Sequence, residues 1–176
     1  KNPDDLAVLE RDIDMLRTLA KAKYPTITYT EALEVLRTKA GMEVDWGKDL
    51  RTIEEDTVMK YFDTPVVVTN YPLEIMAFYK PPDPKDPKTA LCFDMLAPES
   101  YGEIIGGSQR STDIAFMSER LRQMGEKIEN YQWYFDLRRY GSVPHAGYGL
   151  GVERVVAWIC HAENIKDTIP FPRTLL

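Results

Sequence analysis

The chain of 176 residues has little cysteine and little histidine, two of each. Cys92 and Cys160 cannot build a disulfide framework, and no Cys/His spacing fits a zinc site. Two buried thiols in a reducing cytosol are the expectation that follows. No apolar run approaches the roughly 20 residues that span a bilayer. The opening residues have no apolar centre of a signal peptide. A cytoplasmic protein with no membrane partner is therefore expected. The first residue is Lys1 rather than Met, so the chain is expected to be a fragment or to begin after further residues. An excess of positive charge is also lacking: 22 Lys+Arg stand against 28 Asp+Glu, a net charge of −6. That balance excludes nucleic-acid binding by bulk charge and leaves a local basic patch open. Hydrophobic residues at 44% and charged residues at 28% suit one domain with a real core.

Periodicity predicts a helix over residues 4–22, with Leu6, Leu9, Ile13, Leu16 and Ala20 on one face. Thr30 is expected to cap a second helix over about 31–39, stopped by Gly41. A short acidic helix is expected between Thr52 and Phe62. Val66-Val67-Val68 is a strand, and Ile75 to Tyr79 reads as another. Four prolines between Pro81 and Pro87 read as the loop of a hairpin. Strands are predicted over about 88–96 and 101–110, then helices over Ile114–Met124, Tyr131–Tyr140 and Val152 to about Ala162. Strands and helices do not alternate one by one. The fold class expected is therefore α+β, a mainly antiparallel sheet flanked by helices.

The stretch from Leu91 to Ile105 reads as two strands around a turn at 97–100. That register sets Asp94 directly opposite Glu103, on one face and about 5 Å apart at Cβ. Two such carboxylates repel unless a cation joins them, and Mg²⁺, with substrate phosphates completing its shell, suits the pair. The alternative is that one carboxylate faces solvent or meets an arginine. Gly106-Gly107 signals a bulge or a ligand's close approach. Strict alternation puts Gln109 on the Glu103 face, whereas a bulge at the glycine pair aims Arg110 there. An Arg salt-bridged at a sheet edge is the other reading of Arg110.

In an extended chain Gly147, Gly149 and Gly151 point one way, while Tyr148 and Leu150 pack on the other side. Glycines weaken a strand, so the bare face makes room either for a flat ligand or for a neighbouring backbone. Glu153 and Arg154 follow in the first turn of the next helix. Arg154 is suited to stack on a purine and reach its phosphates.

The run from Gly147 to Ile159 resembles motif 3 of the class II aminoacyl-tRNA synthetases without a mismatch. The wider match is to the subclass of aspartyl, asparaginyl and lysyl enzymes. The segments Asn70–Tyr79, Gly102–Arg110, Trp133–His145 and Ile169–Arg173 are similar to the asparaginyl members. The resemblance covers nearly the whole chain. It implies that Arg154 packs over adenine and helps bind ATP phosphates, with Gly149, Gly151, Val152 and Glu153 around the nucleotide. It implies that Asp94 and Glu103 hold Mg²⁺ with ATP. It implies that Arg110, beside Gly147, contacts the amino-acid side chain, and that Arg110 and Arg154 are the catalytic pair. The turn between Asp94 and Glu103 is a residue longer than is usual in that family.

The same resemblance implies that residues 1–176 are the C-terminal part of a catalytic domain. The anticodon-binding barrel, motif 1 and motif 2 have no counterpart in them, which would leave sheet edges open. The activity implied is asparagine–tRNA ligation: ATP-dependent formation of asparaginyl-adenylate, then transfer to tRNA(Asn), in a homodimeric full-length enzyme. Alternatives are an aspartyl-type synthetase, a synthetase-related asparagine synthetase, or a non-catalytic binding module on the same fold. Every version with ATP requires Glu103 and Arg154 to share one cleft.

Overall fold

The computed structural model describes residues 2–174. Among them, seven α-helices and five strands run in the order α1 (Pro3–Val8), α2 (Ile13–Leu19), β1 (Thr26–Thr28), α3 (Tyr29–Ala40), α4 (Thr52–Met59), β2 (Val66–Thr69), β3 (Cys92–Ala97), β4 (Gly102–Arg110), α5 (Ile114–Gln123), α6 (Gln132–Arg139), β5 (His145–Leu150) and α7 (Val152–Cys160). The strands form one sheet in sequence order. β1 pairs with β2 in parallel, and the other three pairings are antiparallel. The expected α+β class with a mainly antiparallel sheet is what the chain adopts. No described helix is long and apolar enough to cross a membrane.

Each sheet face carries its own core. Val66, Val68, Cys92 and Leu96 pack under α3 and α4, against Tyr29, Leu36 and Val58. Ala97, Ile104, Met95 and Ile105 pack on the opposite face, against Leu19 and Trp158 of α2 and α7. A third cluster joins Phe78 to α5 and α6 through Met117, Leu121 and Phe135. Cys92 is buried as expected, whereas Cys160 is only half-buried. α3 is capped by Thr28, two residues before the expected Thr30. Thr28 accepts from the Glu31 N–H while Glu31 reaches back to the Thr28 N–H, a reciprocal cap. Gly41 closes the helix in the left-handed region, as read.

Two expected elements are corrected. The helix over 4–22 is broken: Glu10 has φ 55°, and Asp12 caps α2 by accepting from the Met15 N–H at 2.8 Å. The break turns Arg11 inward. Its guanidinium donates twice to Glu99, at 2.8 and 2.6 Å, and once to the Ile159 carbonyl. The strand expected from Ile75 to Tyr79 is instead preceded by a 3₁₀ turn over Leu73–Ile75 and continues irregularly. The carbonyls of Leu73, Glu74 and Met76 accept from Arg120 rather than from a neighbouring strand. The proline-rich stretch does lie in the connection between the antiparallel neighbours β2 and β3.

The adjacent glycines of β4 serve opposite faces. A Cβ on Gly107 would lie 2.5 Å from the Phe93 ring and 3.0 Å from Tyr148 Cβ, whereas one on Gly149 of β5 would meet nothing within 4 Å. Gly107→Ala should therefore cost about 1–3 kcal/mol by overpacking, and Gly149→Ala should stay within about 0.5 kcal/mol of the parent. Urea unfolding of the two variants side by side checks the contrast.

Candidate active site

The β3–β4 register departs from the sequence expectation in a way that builds the site. Met95 pairs with Ile105, but Leu96 pairs with Glu103 and Ala97 with Gly102. Asp94 therefore opposes Gly106, not Glu103, and Ile104 is an extra residue in β4. This is a β-bulge at Ile104, not at the expected glycine pair. The bulge lets Ile104 and Ile105 both enter the α2–α7 core. It also returns Glu103 to the face of Gly106, Ser108 and Arg110. A Cβ on Gly106 would collide with Glu103 Oε1 and lie 3.1 Å from Asp94 Oδ1. The two carboxylates thus converge over a glycine, although they are not directly opposed.

Arg110 joins them on the same face, and Gln109 is exposed on the other. One cavity of about 340 Å³ is lined by Asp49, Glu55, Lys80, Asp94, Glu103 and Arg110, among others. The Arg110 guanidinium stacks 4.5 Å from the Tyr79 ring and makes no ion pair among the described residues. A second cavity of about 430 Å³ is lined by Glu103, Gly106, Gly149, Gly151 and Arg154. Glu103 and Gly106 belong to both, so the two cavities adjoin. Glu103 and Arg154 share one cleft, and Arg154 Nη1 donates to the Glu103 carbonyl at 3.0 Å.

Gly147 and Gly149 of β5, and Gly151 at the start of α7, each have their own reason. Gly147 leaves room for Arg110, whose Nη2 would stand 3.0 Å from a Cβ there. Gly149 faces open space. Gly151 lets the Arg154 stem lie against the chain, 3.4 Å from a would-be Cβ. The neighbouring-backbone reading of these glycines is replaced by guanidinium groups and an open floor. Tyr148 and Leu150 lie on the far side but do not pack: both are exposed, on an edge strand. Val152 and Glu153 are exposed at the start of α7, with Val152 directed away from any core cluster.

Glu55, on α4, is a site residue that sequence reading missed, as are Asp49 and Lys80 of the same cavity. Burial, and then the charges of Glu103 and Asp94, push the Glu55 carboxyl up to about 7. Burial and Glu103 push Asp94 up to about 6, opposed by Lys80. Such values mark a place where negative charge lacks a partner. Among the described residues no group of three Asp, Glu, His or Cys side chains is set to hold a metal alone. Two convergent carboxylates fit the Mg²⁺ habit of binding through one or two carboxylates and taking its other oxygens from phosphate and water.

Comparison with known proteins adds the family. Residues 6–175 match the family model of the class II tRNA synthetases (D, K and N). The chain is 50% identical to the asparagine–tRNA ligase of Chloroflexus aurantiacus, over 98% of this chain and 40% of that protein. It is 50% identical to the asparagine–tRNA ligase of a Roseiflexus species, over 99% of this chain and 41% of that protein. A crystal structure of asparaginyl-tRNA synthetase from Pyrococcus horikoshii, complexed with asparaginyl-adenylate, superposes with a TM-score of 0.90 at 47% identity, covering 96% of this chain and 38% of that one. The chain thus spans about 40% of the length of the curated relatives it matches.

The raised carboxyls set a pH dependence. In the folded chain Glu55 and Asp94 keep their protons to higher pH than in the unfolded chain. The folded state therefore binds more protons from the ordinary carboxylate range up to about pH 7. Stability must then fall as pH rises through that window. For the metal-free chain the loss should be on the order of 2 kcal/mol between about pH 4.5 and pH 8, after allowance for partial exposure. Urea unfolding at a series of pH values should show this slope, and Asp94→Asn should flatten it.

Proposed function

Because the chain belongs to the class II tRNA synthetases of the D, K and N group, we propose that its paired cavities form most of an adenylation site that activates asparagine with ATP for transfer to tRNA(Asn). The observation that carries this reading is the sharing of Glu103 between two adjoining cavities, one with Arg154 and the other with Arg110. A two-substrate reaction needs its substrates in adjacent subsites with their reacting atoms at the junction. The open floor at Gly149 and the Arg154 guanidinium suit a purine and its phosphates. The cavity at Arg110, whose guanidinium has room because residue 147 is Gly147, suits the amino acid, whose side-chain oxygen the guanidinium holds.

In this reading a carboxylate oxygen of asparagine attacks the α-phosphorus of ATP and pyrophosphate leaves. A tRNA hydroxyl then attacks the adenylate carbonyl and AMP leaves. Mg²⁺, when bound, supplies charge neutralisation to the phosphates. Asp94 and Glu103 hold it, and Arg154 fixes the nucleotide against the floor. Little proton transfer is demanded, so positioning and charge carry the catalysis. Val152 and Glu153 flank the nucleotide at the first turn of α7. The curated relatives are about 2.5 times as long as the matched segment. In this reading residues 1–176 form the C-terminal part of a catalytic domain in a cytoplasmic, homodimeric enzyme. The open edge at β5, with Tyr148 and Leu150 exposed, supports that incompleteness.

Two tests address the two subsites. Calorimetric titration of the chain with ATP and Mg²⁺ should show binding that Arg154→Ala weakens at least about tenfold, the loss of charge-assisted contacts to phosphate. Gly149→Val should weaken it comparably by filling the floor. Unchanged affinity in both variants would contradict the nucleotide assignment. In the enzyme of full family length, ATP–pyrophosphate exchange should depend on asparagine and not on aspartate. Arg110→Ala should raise the asparagine KM at least about tenfold. Exchange driven by aspartate would support the aspartyl alternative instead.

A further inference from the structure

We propose that Glu55 is a positioning residue: from α4 it holds the main chain of Glu103, so that the bulge at Ile104 aims the Glu103 carboxylate over Gly106 and leaves Arg154 at the floor. The inference rests on the adenylation reading only for its functional consequence. Its structural basis is local.

The β4–β5 ladder ends at Ile105 opposite Leu150, and the Gly151 N–H donates to the Ile104 carbonyl. Glu103 lies beyond that ladder, so its polar main-chain groups have no partner in β5. Side chains from two helices take the place of a strand. Arg154 of α7 donates to the Glu103 carbonyl at 3.0 Å. The Glu55 carboxylate of α4 reaches the same peptide units, its Oε2 3.0 Å from where a Cβ on Gly102 would stand, and the Glu103 N–H favours its ionised form. The peptide units around the bulge are thereby met by side chains from two helices at one point.

Gly102 makes the grip possible. Its φ is +62°, and a Cβ there would stand 3.0 Å from Glu55 Oε2 and 3.8 Å from Arg154 Nη1. Glu55 and Arg154 therefore approach the same point in space, on the residue next to Glu103. Glu55 is half-buried and lines the cavity that Asp94 and Glu103 share. Apart from Arg154, its charged neighbours are the carboxylates Glu103 and Asp94. A third carboxylate beside bound phosphates would weaken a nucleotide site by simple repulsion. Its presence is accounted for by its acceptor atoms, which a bulged strand requires.

The distinction between acceptor and charge gives the test. Glu55→Gln keeps an oxygen at the same reach and removes the charge. Glu55→Met keeps the length and removes the acceptor. Glu55→Asp keeps the charge and draws the acceptor back by one methylene. Amide hydrogen exchange by NMR on the whole chain reads the Glu103 N–H directly, with the N–H groups of Val66 and Val68 as the reference for global stability. Exchange at Glu103 should quicken at least about tenfold in Glu55→Met and in Glu55→Asp, relative to that reference. In Glu55→Gln it should stay within about threefold of the parent. Affinity for ATP with Mg²⁺ should fall at least about tenfold in Glu55→Met and hold or tighten in Glu55→Gln.

Unchanged Glu103 exchange in Glu55→Asp and Glu55→Met would overturn the proposal. So would a Glu55→Gln variant as unprotected as Glu55→Met, because charge rather than reach would then matter. If Glu55→Met does not fold, Glu55→Asp and Glu55→Gln still decide between the two. If the parent chain binds no ATP while the exchange pattern holds, the adenylation reading falls and the positioning of Glu103 stands.

Discussion

One extra residue in one strand organises this molecule. In an unbroken antiparallel ladder, Glu103 and Ile105 would share a face, and so would Ile104 and Gly106. The bulge at Ile104 breaks that parity. Both isoleucines then reach the core under α2 and α7, and both acidic groups reach the opposite face. Full burial of Ile104, worth about 1.5–3 kcal/mol, and partial burial of Ile105 hold the bulge in place. The convergence of Asp94 and Glu103 is thus a consequence of hydrophobic packing on the far side of the sheet. Site geometry and core packing are two results of the same irregularity.

The electrostatics follow from that convergence. Glu55, Asp94 and Glu103 crowd a half-buried region, and two of them hold their protons towards neutral pH as a result. The metal-free fold carries this as a cost, in the manner of sites that give up stability for function. Lys80, Arg110 and Arg154 stand around the cluster without closing ion pairs to it: no described carboxylate lies within salt-bridge distance of any of the three. Arg110 leans on Tyr79, and Lys80 donates to the Met76 sulfur at 3.1 Å. Acidic and basic groups left apart in one cleft are suited to a ligand that carries both charges, such as phosphates with a divalent cation or an amino acid. The Arg11–Glu99 pair, remote from the cleft and well formed, shows that the chain closes ion pairs where only architecture is at stake.

Much of this was legible in the residues. The helix expected from Val152, the glycines before it and the charged pair at its first turn led directly to α7 and its cleft, because glycine placement is a local signal; the buried residues of that helix are Ala157 and Trp158, while Val152, Val156 and Ile159 are exposed. The helix break at Arg11 was not legible, since the reason for it is Glu99, far along the chain. Nor was Glu55: the run Thr52-Ile53-Glu54-Glu55-Asp56 does not say which acid will face a sheet that the chain has yet to form. The register error at Asp94 had a visible cause. Ile104-Ile105 sets two large apolar groups side by side in a strand that otherwise alternates. Had both been required to face a core, the bulge would have fallen at Ile104 rather than at the glycines.

The central claim is that Asp94 and Glu103, brought together over Gly106, hold the cation that accompanies a nucleotide on the Gly149 floor. Replacing Mg²⁺ by Mn²⁺ in the presence of ATP turns that claim into a map, because the paramagnetic ion broadens nearby amide signals in the ¹⁵N spectrum. The account predicts loss of the Asp94, Glu103 and Gly106 signals first, with Gly149 next and α5 untouched. Broadening centred on any other part of the surface, with Gly106 unaffected, would contradict it.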